Sequence, residues 1–452
     1  MFKRSKLDGP KGHPILGVLP HLRTDTARFL EKCSQQYGDL VPLRIFMTTA
    51  YLLNHPQHVE HVLQTNHRNY RKSPLVERMK PLFGNGIFIA ENELWERQRK
   101  LIQPSFKRKN LELLSSHILG VVDDHLKTWD EKALSGQDFN LSEDMSVLTI
   151  EVMMQTFFGA SIGAAGVKLY NAMQLINEVT AKRVWDLTTL ATKLPTKENR
   201  AYEAALTDVH SIVAKLIDER RNSESPATDL LGILLAACDP EDEQRMSDDQ
   251  LRDEIVTLIV AGFESTASLL VWTVYFLSEN PHVLERVRNE ADSVLQGRMP
   301  GNSDLRELEY TKRVIQEVAR LRPTVWWFSR TAIEDDVIGG EHIKAGTTVL
   351  ICQYVLHKLP SVWEDPERFD PDRFLPENTV GRSKFAYLPF GAGPRVCIGS
   401  GLTTMEMQII LPLIYRRFDV TITSDLNPEL GNFISLKPKD DMHAQIKARL
   451  RH

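Results

Sequence analysis

Phe390-Gly391-Ala392-Gly393-Pro394-Arg395-Val396-Cys397-Ile398-Gly399 is a loop built on glycine and proline, with one thiol near its end. An apolar, helix-capable run follows at once: Leu402, Met405, Met407, Ile409, Ile410, Leu411, Leu413 and Ile414. A thiol at the start of a helix meets free backbone N–H groups and the positive end of the helix dipole. Both favour the thiolate and lower a thiol pKa. Gly391, Gly393 and Gly399 carry no Cβ, so backbone can come close to a large flat partner. The competing reading is a buried structural cysteine, and the rest of the chain decides between them.

The chain has 452 residues, 42% hydrophobic and 25% charged, as in globular proteins. A formal net charge of −5 is too small to argue for nucleic acid or an anionic membrane as a partner. Four cysteines, Cys33, Cys238, Cys352 and Cys397, lie far apart, with no CxxC pair for zinc or an iron–sulfur cluster. So few in so long a chain do not make a disulfide scaffold, and they imply a reducing compartment. The N-terminus is basic with no apolar stretch behind it, and the longest uncharged apolar run, Ser265–Ser278, is shorter than the ~18 residues of a spanning helix. The expectation is a cytoplasmic monomer without a membrane anchor.

Upstream of the loop, Phe369–Phe390 is irregular and rich in proline and aromatics. Ala332–Ile351 reads as strands, and Leu40–Phe46 with Ala50–Asn54 as a hairpin. Between Pro56 and Ser278 the pattern is mostly helical; the polar breaks Asn222–Pro226 and Asp239–Met246 are too short for domain linkers. The chain therefore reads as a single domain, residues 1–452, mainly α with a small β subdomain. Its β-rich parts are expected near 36–60 and 330–355, a sheet region at each end of the chain.

One helix stands out. Ser247-Asp248-Asp249-Gln250 has the capping-box form, and Asn280-Pro281 ends the run. The helix between them spans about 45 Å. It is apolar on nearly all sides, which predicts burial through the centre of the molecule. Yet Ala261-Gly262-Phe263-Glu264-Ser265-Thr266 places a carboxylate and two hydroxyls in its middle. Buried polar groups are costly unless partnered, so the segment reads either as a back-bonded kink or as a site.

The cysteine loop carries Phe390, Gly393, Arg395, Cys397 and Gly399 in the pattern Phe-x-x-Gly-x-Arg-x-Cys-x-Gly. With it the chain resembles the cytochrome P450 family, and four further motifs occur in that family's order. Glu317-Val318-Ala319-Arg320 is its Glu-x-x-Arg pair, whose ends share a helix face. Arg373, in Phe369-Asp370-Pro371-Asp372-Arg373-Phe374, completes the implied structural triad of Glu317, Arg320 and Arg373, in preference to Arg368. Trp95 and Arg99 stand at i and i+4 and would both reach a heme propionate. The central helix matches the oxygen-activation site, with Ser265 where threonine is usual and Thr266 after it.

The resemblance implies heme b (iron protoporphyrin IX) between the central helix and the cysteine loop. Cys397 would be the metal ligand, with Trp95, Arg99, Arg330, His357, Phe390, Arg395 and Gly399 around the cofactor. Glu264 with Ser265 or Thr266 would relay protons, and a thiolate ligand favours O–O cleavage. The implied activity is a monooxygenase using O2. Because no flavin or iron–sulfur motif occurs, electrons from NAD(P)H must arrive through a separate partner. A ferredoxin with its reductase, or a flavodoxin-type donor, would dock on the basic cluster Arg97, Lys100, Lys107, Arg108 and Lys109. By family analogy the pocket holds Phe83, Phe88, Ala261, Phe263, Trp326, Trp327, Phe328, Phe433 and Ile434. That lining suits a fatty acid, terpenoid or steroid-like substrate. Arg68, Arg71, Lys72 and Arg78 fall at the implied mouth. The rival classes are a heme-thiolate sensor or carrier, and a peroxide-driven or isomerising member of the family.

Overall fold

The computed structural model describes residues 7–159, 163–183, 194–224, 229–238, 245–424, 428–431 and 435–449. Phe433, Ile434 and parts of Asn222–Pro226 and Asp239–Met246 lie outside these residues. Ten strands are described: β1 Leu40–Ile45, β2 Thr48–Leu53, β3 Tyr70–Lys72, β4 Phe139–Asn140, β5 Phe328–Ala332, β6 Asp336–Ile338, β7 Glu341–Ile343, β8 Thr348–Ile351, β9 Phe418–Ile422 and β10 His443–Ala448. The two expected sheet regions are one sheet, in the order β1-β2-β8-β5-β3. β8 lies parallel to β2, with Tyr51 opposite Val349 and Leu53 opposite Ile351, and antiparallel to β5. A second sheet, β4-β10-β9, ties the end of the chain to Phe139–Asn140. Local patterning carries no signal for pairings across such distances.

The central helix runs unbroken from Asp248 to Glu279, with the Ser247 hydroxyl accepting from the Gln250 N–H at 3.2 Å. It packs on the helix Leu141–Phe158 in the largest apolar core. It is the one described helix long and apolar enough to cross a membrane, but 83% of its apolar window is buried inside the molecule.

The segment that leads to the cysteine loop is fixed by a buried charge network. On the helix Glu309–Leu321, Arg320 donates to both Glu317 oxygens at 2.7 and 2.8 Å. Arg373 lies 3.4 Å from the same carboxylate, whereas Arg368 pairs with Asp370 on the exposed side. Arg320 also donates to the carbonyls of His357, Pro366 and Arg368, and Glu317 accepts the Asp370 N–H at 2.9 Å. Removing one partner of such a set leaves an uncompensated buried charge. Arg320→Ala should therefore lower unfolding free energy by about 3–5 kcal/mol, read as a lower urea midpoint.

A second network joins the helices Arg108–Ser135 and Leu141–Phe158. His125 lies between Glu151 and Asp144, at 3.0 Å from each. Burial pulls its pKa down, but hydrogen bonds to Asp144 and Glu151 and their charge win and push it up to about 9. A His pKa raised on folding contributes stability that is complete below its unfolded value of about 6.5 and is lost as pH rises through about 9. Stability should fall by about 3 kcal/mol across that window. His125→Gln should flatten this part of the pH–stability curve measured by urea melts.

Candidate active site

The cysteine loop is a chain of tight turns. Gly391 N–H donates to Leu388, Val396 N–H to Gly393, and Cys397 N–H to Phe390. Gly393 has φ +70°, and a Cβ there would sit 1.9 Å from the Leu63 carbonyl oxygen, so its glycine is demanded by the protein's own backbone. Gly399 caps the helix Ser400–Arg417; a Cβ on it would make only an ordinary 4.0 Å contact with the Cys397 sulfur. What this turn supplies is N–H groups. The thiol pKa is nevertheless raised, because burial outweighs the N–H groups of Gly399 and Ser400 and the charge of Arg99. This departs from the expected helix-lowered pKa: the N–H groups and Arg99 act in the expected direction and are outweighed.

Beside the loop lies a cluster of cations. β3 pairs with β5 so that Lys72 stands opposite Arg330. Arg395 donates to Glu91 at 2.6 Å and to the Ala90 carbonyl at 3.0 Å, and its guanidinium stacks 4.4 Å from the Trp95 ring. Lys72 donates to the carbonyls of Ile87, Phe88 and Ala90. Arg330 bonds the Ser329 carbonyl at 2.9 Å and has no ion pair in the described structure. Burial, then Arg395, pulls Lys72 down to about 7 and Arg330 to about 10, with Glu91 opposing. Glu91 acts on all three cations, with Glu254 also on Lys72 and Glu96 also on Arg395, yet Arg330 makes no ion pair among the described residues. Lys72, expected at the pocket mouth, belongs to it.

Two expected cofactor residues are placed otherwise. His357 is fully buried; its Nε2 accepts the Leu388 N–H at 2.7 Å and its Nδ1 faces the Arg320 carbonyl at 3.3 Å. Both ring nitrogens are engaged by backbone, so His357 offers nothing to a propionate and instead ties the pre-cysteine segment to Arg320. Arg99 donates to the Val396 carbonyl at 2.9 Å and to Gln103, which sets it beside the thiol.

On the central helix three faces separate by register. Ala261 is exposed, and Gly262 and Ser265 are half-exposed, a strip of small residues on an otherwise buried helix. The Ser265 hydroxyl is back-bonded to the Ala261 carbonyl at 2.7 Å. Thr266 is 1% exposed and turns away, donating to Glu406 at 3.4 Å. Glu264 accepts from Asn177 and lies 3.7 Å from Lys437. Its pKa is raised by burial, against Lys437, Ser435 and Asn177. A polar cavity of ≈ 250 Å³ reaches this carboxylate, lined also by Glu143, Tyr170, Gln174 and Asp441.

The expected pocket wall divides. Phe88 is 40% exposed, and its ring lies 4.8 Å from the buried Phe83. Phe263 is core. Trp326 is 2% exposed and packs in the N-terminal core with Val18 and Leu22, while Trp327 packs against that core. The two indoles meet edge to face, with ring centroids 6.1 Å apart, so both are held by that core. Val325, which the aromatic pattern concealed, is 47% exposed. Phe328 is half-buried, under Arg330.

An open thiol, a strip of small residues and a cation-rich cluster fit a planar dianionic macrocycle that carries a metal. The sequence profile described as Cytochrome P450 matches residues 7–444. The chain belongs to the cytochrome P450 family, which implies heme and O2, and it is a monooxygenase of that family. It is 34% identical to cyclooctat-9-en-7-ol 5-monooxygenase of Streptomyces melanosporofaciens over 410 residues, 90% of this chain and 88% of that protein. It is 33% identical to cyclooctatin synthase of the same organism, again over 90% and 88%. Pentalenene oxygenase of Streptomyces avermitilis is 29% identical over 92% of this chain and 91% of its own. The crystal structure of the cytochrome P450DA heme domain superposes with a TM-score of 0.90 at 27% identity, covering 98% of both chains.

If the cation cluster receives the propionates, Arg330→Ala and Lys72→Ala should each speed heme loss about tenfold or more. Transfer of heme to an apo-globin acceptor measures this.

Proposed function

We propose that this monooxygenase hydroxylates a lipophilic cyclic substrate of the terpenoid type, with electrons delivered by a separate redox protein. The observation that carries the catalytic part is Glu264, a buried carboxylate in the middle of the central helix that reaches a polar cavity. Heme, when bound, supplies the binding and cleavage of dioxygen; one oxygen atom goes to the substrate and the other leaves as water, at the expense of two electrons and two protons. Cys397 is the iron ligand, with the Gly399 and Ser400 N–H groups stabilising its charge. Arg330, Arg395 and Lys72 hold the propionates, and Trp95 backs Arg395.

Glu264 takes protons from the cavity, and Ser265 supplies the hydroxyl on the open strip. Burial raises the Glu264 pKa, and the Lys437 ammonium acts in the opposite direction. Thr266 is excluded from the relay by its contact with Glu406. Phe88, Ala261 and Val325 present apolar surface to the substrate. Relatives named for cyclooctat-9-en-7-ol and pentalenene, cyclic alkenes by their names, support the substrate class.

Lys100, Lys107 and Lys109 are exposed, on and after the helix Asn92–Ile102 whose Arg99 holds the cysteine loop. That face suits an acidic ferredoxin or flavodoxin, which NAD(P)H reduces through its own reductase. A sensor or carrier has no use for a buried acid served by a polar cavity, which sets that reading second.

Glu264→Gln and Ser265→Ala should each divert reducing equivalents from product to peroxide or water, lowering coupling about tenfold or more. Thr266→Ala should leave coupling near the parent value. Product formed per NAD(P)H consumed is the readout, and equal losses at Ser265 and Thr266 would remove Ser265 from the relay.

A further inference from the structure

The hairpin between β1 and β2 turns in two residues, Phe46-Met47, since Ile45 is paired with Thr48. Phe46 has φ +53°, while Met47 is not in the left-handed region. A two-residue turn with a positive φ at its first position is the form that glycine favours. A bulky aromatic there is disfavoured. The aromatic is not retained for the core either: Phe46 is 43% exposed and Met47 69%. The adjoining loop adds Ile15, 62% exposed, and is laced to the turn by Phe46 N–H to the Leu16 carbonyl and Gly17 against Ile45. Three large apolar side chains thus project from one tip, and a strained backbone presents one of them.

The surroundings are cationic. Arg44, exposed on β1, donates only to the neutral carbonyls of His13, Pro14 and Phe46, so its charge is not cancelled. Lys11 and His13 are exposed in the same loop. In sequence, Lys3, Arg4, Lys6 and Lys11 stand against Asp8 alone before Gly12. Asp25, the next acid, caps the following helix and faces Arg28.

We propose that this tip docks the protein on an anionic lipid surface, with Ile15, Phe46 and Met47 entering the interface. Lys11 and Arg44 meet the headgroups. Apolar insertion and cationic attraction are each weak alone, and together they give reversible binding. The proposal does not depend on the substrate reading.

The test is flotation of the heme-loaded full-length protein with phosphatidylcholine vesicles, with and without phosphatidylglycerol. Binding should require phosphatidylglycerol and be released by salt. The pair Ile15→Ser with Met47→Ser should weaken it about tenfold or more. Phe46→Gly should weaken it too while leaving the thermal midpoint unchanged or higher, because the turn is relieved. Absence of binding to phosphatidylglycerol vesicles, or equal binding of the variants, overturns the proposal. So does a lower midpoint for Phe46→Gly, which would make the side chain a packing element. A dimer in sedimentation that Met47→Ser dissociates would assign the tip to a second copy and likewise overturn it.

Discussion

The paired charges of Glu317, Arg320 and Arg373 hold the active site from outside it. Arg320 and Glu317 are both fully buried, where an ion pair adds little net stability but an incomplete one is heavily penalised. The network is complete only when the chain from His357 to Asp370 lies in one course, because its backbone fills the remaining hydrogen bonds. Further ties extend that course: His357 takes the Leu388 N–H, and the Tyr387 hydroxyl donates to the Gln316 carbonyl. Phe390 begins two residues later. A segment with only short 3-10 turns thus delivers Cys397 to a defined place, because any other course would strand a buried charge.

At the site itself the same electrostatic logic works through imbalance. The protein around the thiol holds its pKa up although the sulfur is open to the site, and Arg330 beside it makes no ion pair among the described residues. Each imbalance is costly alone. A bound metal would favour the thiolate, and two carboxylates would match the cations, so one group removes both penalties. Affinity for the cofactor is therefore partly relief of charge frustration built into the protein.

Much of this was legible in the sequence, and the failures share a cause. The cysteine loop, the Glu317–Arg320 pair and the central helix with its Ser247 cap follow from local spacing, and the structure places them within a residue or two of expectation. Lys72 joins the cation cluster only because three-residue β3 pairs with β5, a contact between residues far apart in the chain. His357 is set at the cofactor by the resemblance alone, yet the backbone engages both its nitrogens. Trp326 and Trp327 are conspicuous by type, but they pack on each other and on the N-terminal core, and Val325 beside them is the exposed residue. Residue type and short-range order can be read from a string; the direction of a side chain depends on pairing partners that the string does not announce.

The substitution of serine for threonine in the central helix follows from that geometry. Residues 264, 265 and 266 point in three directions, to the polar cavity, the open strip and the cysteine helix. A hydroxyl at 266 lies among buried groups, where a threonine methyl fills space and its oxygen meets Glu406. The hydroxyl at 265 faces the open strip and is parked on the Ala261 carbonyl. A threonine is stiff about χ1, and in a helix it settles into that back-bonded arrangement. Serine, without the branch, can leave the carbonyl and turn outward at lower cost. The two adjacent hydroxyls are therefore not duplicates: the branched one suits a fixed contact and the unbranched one suits a movable one, which is what passing a proton requires.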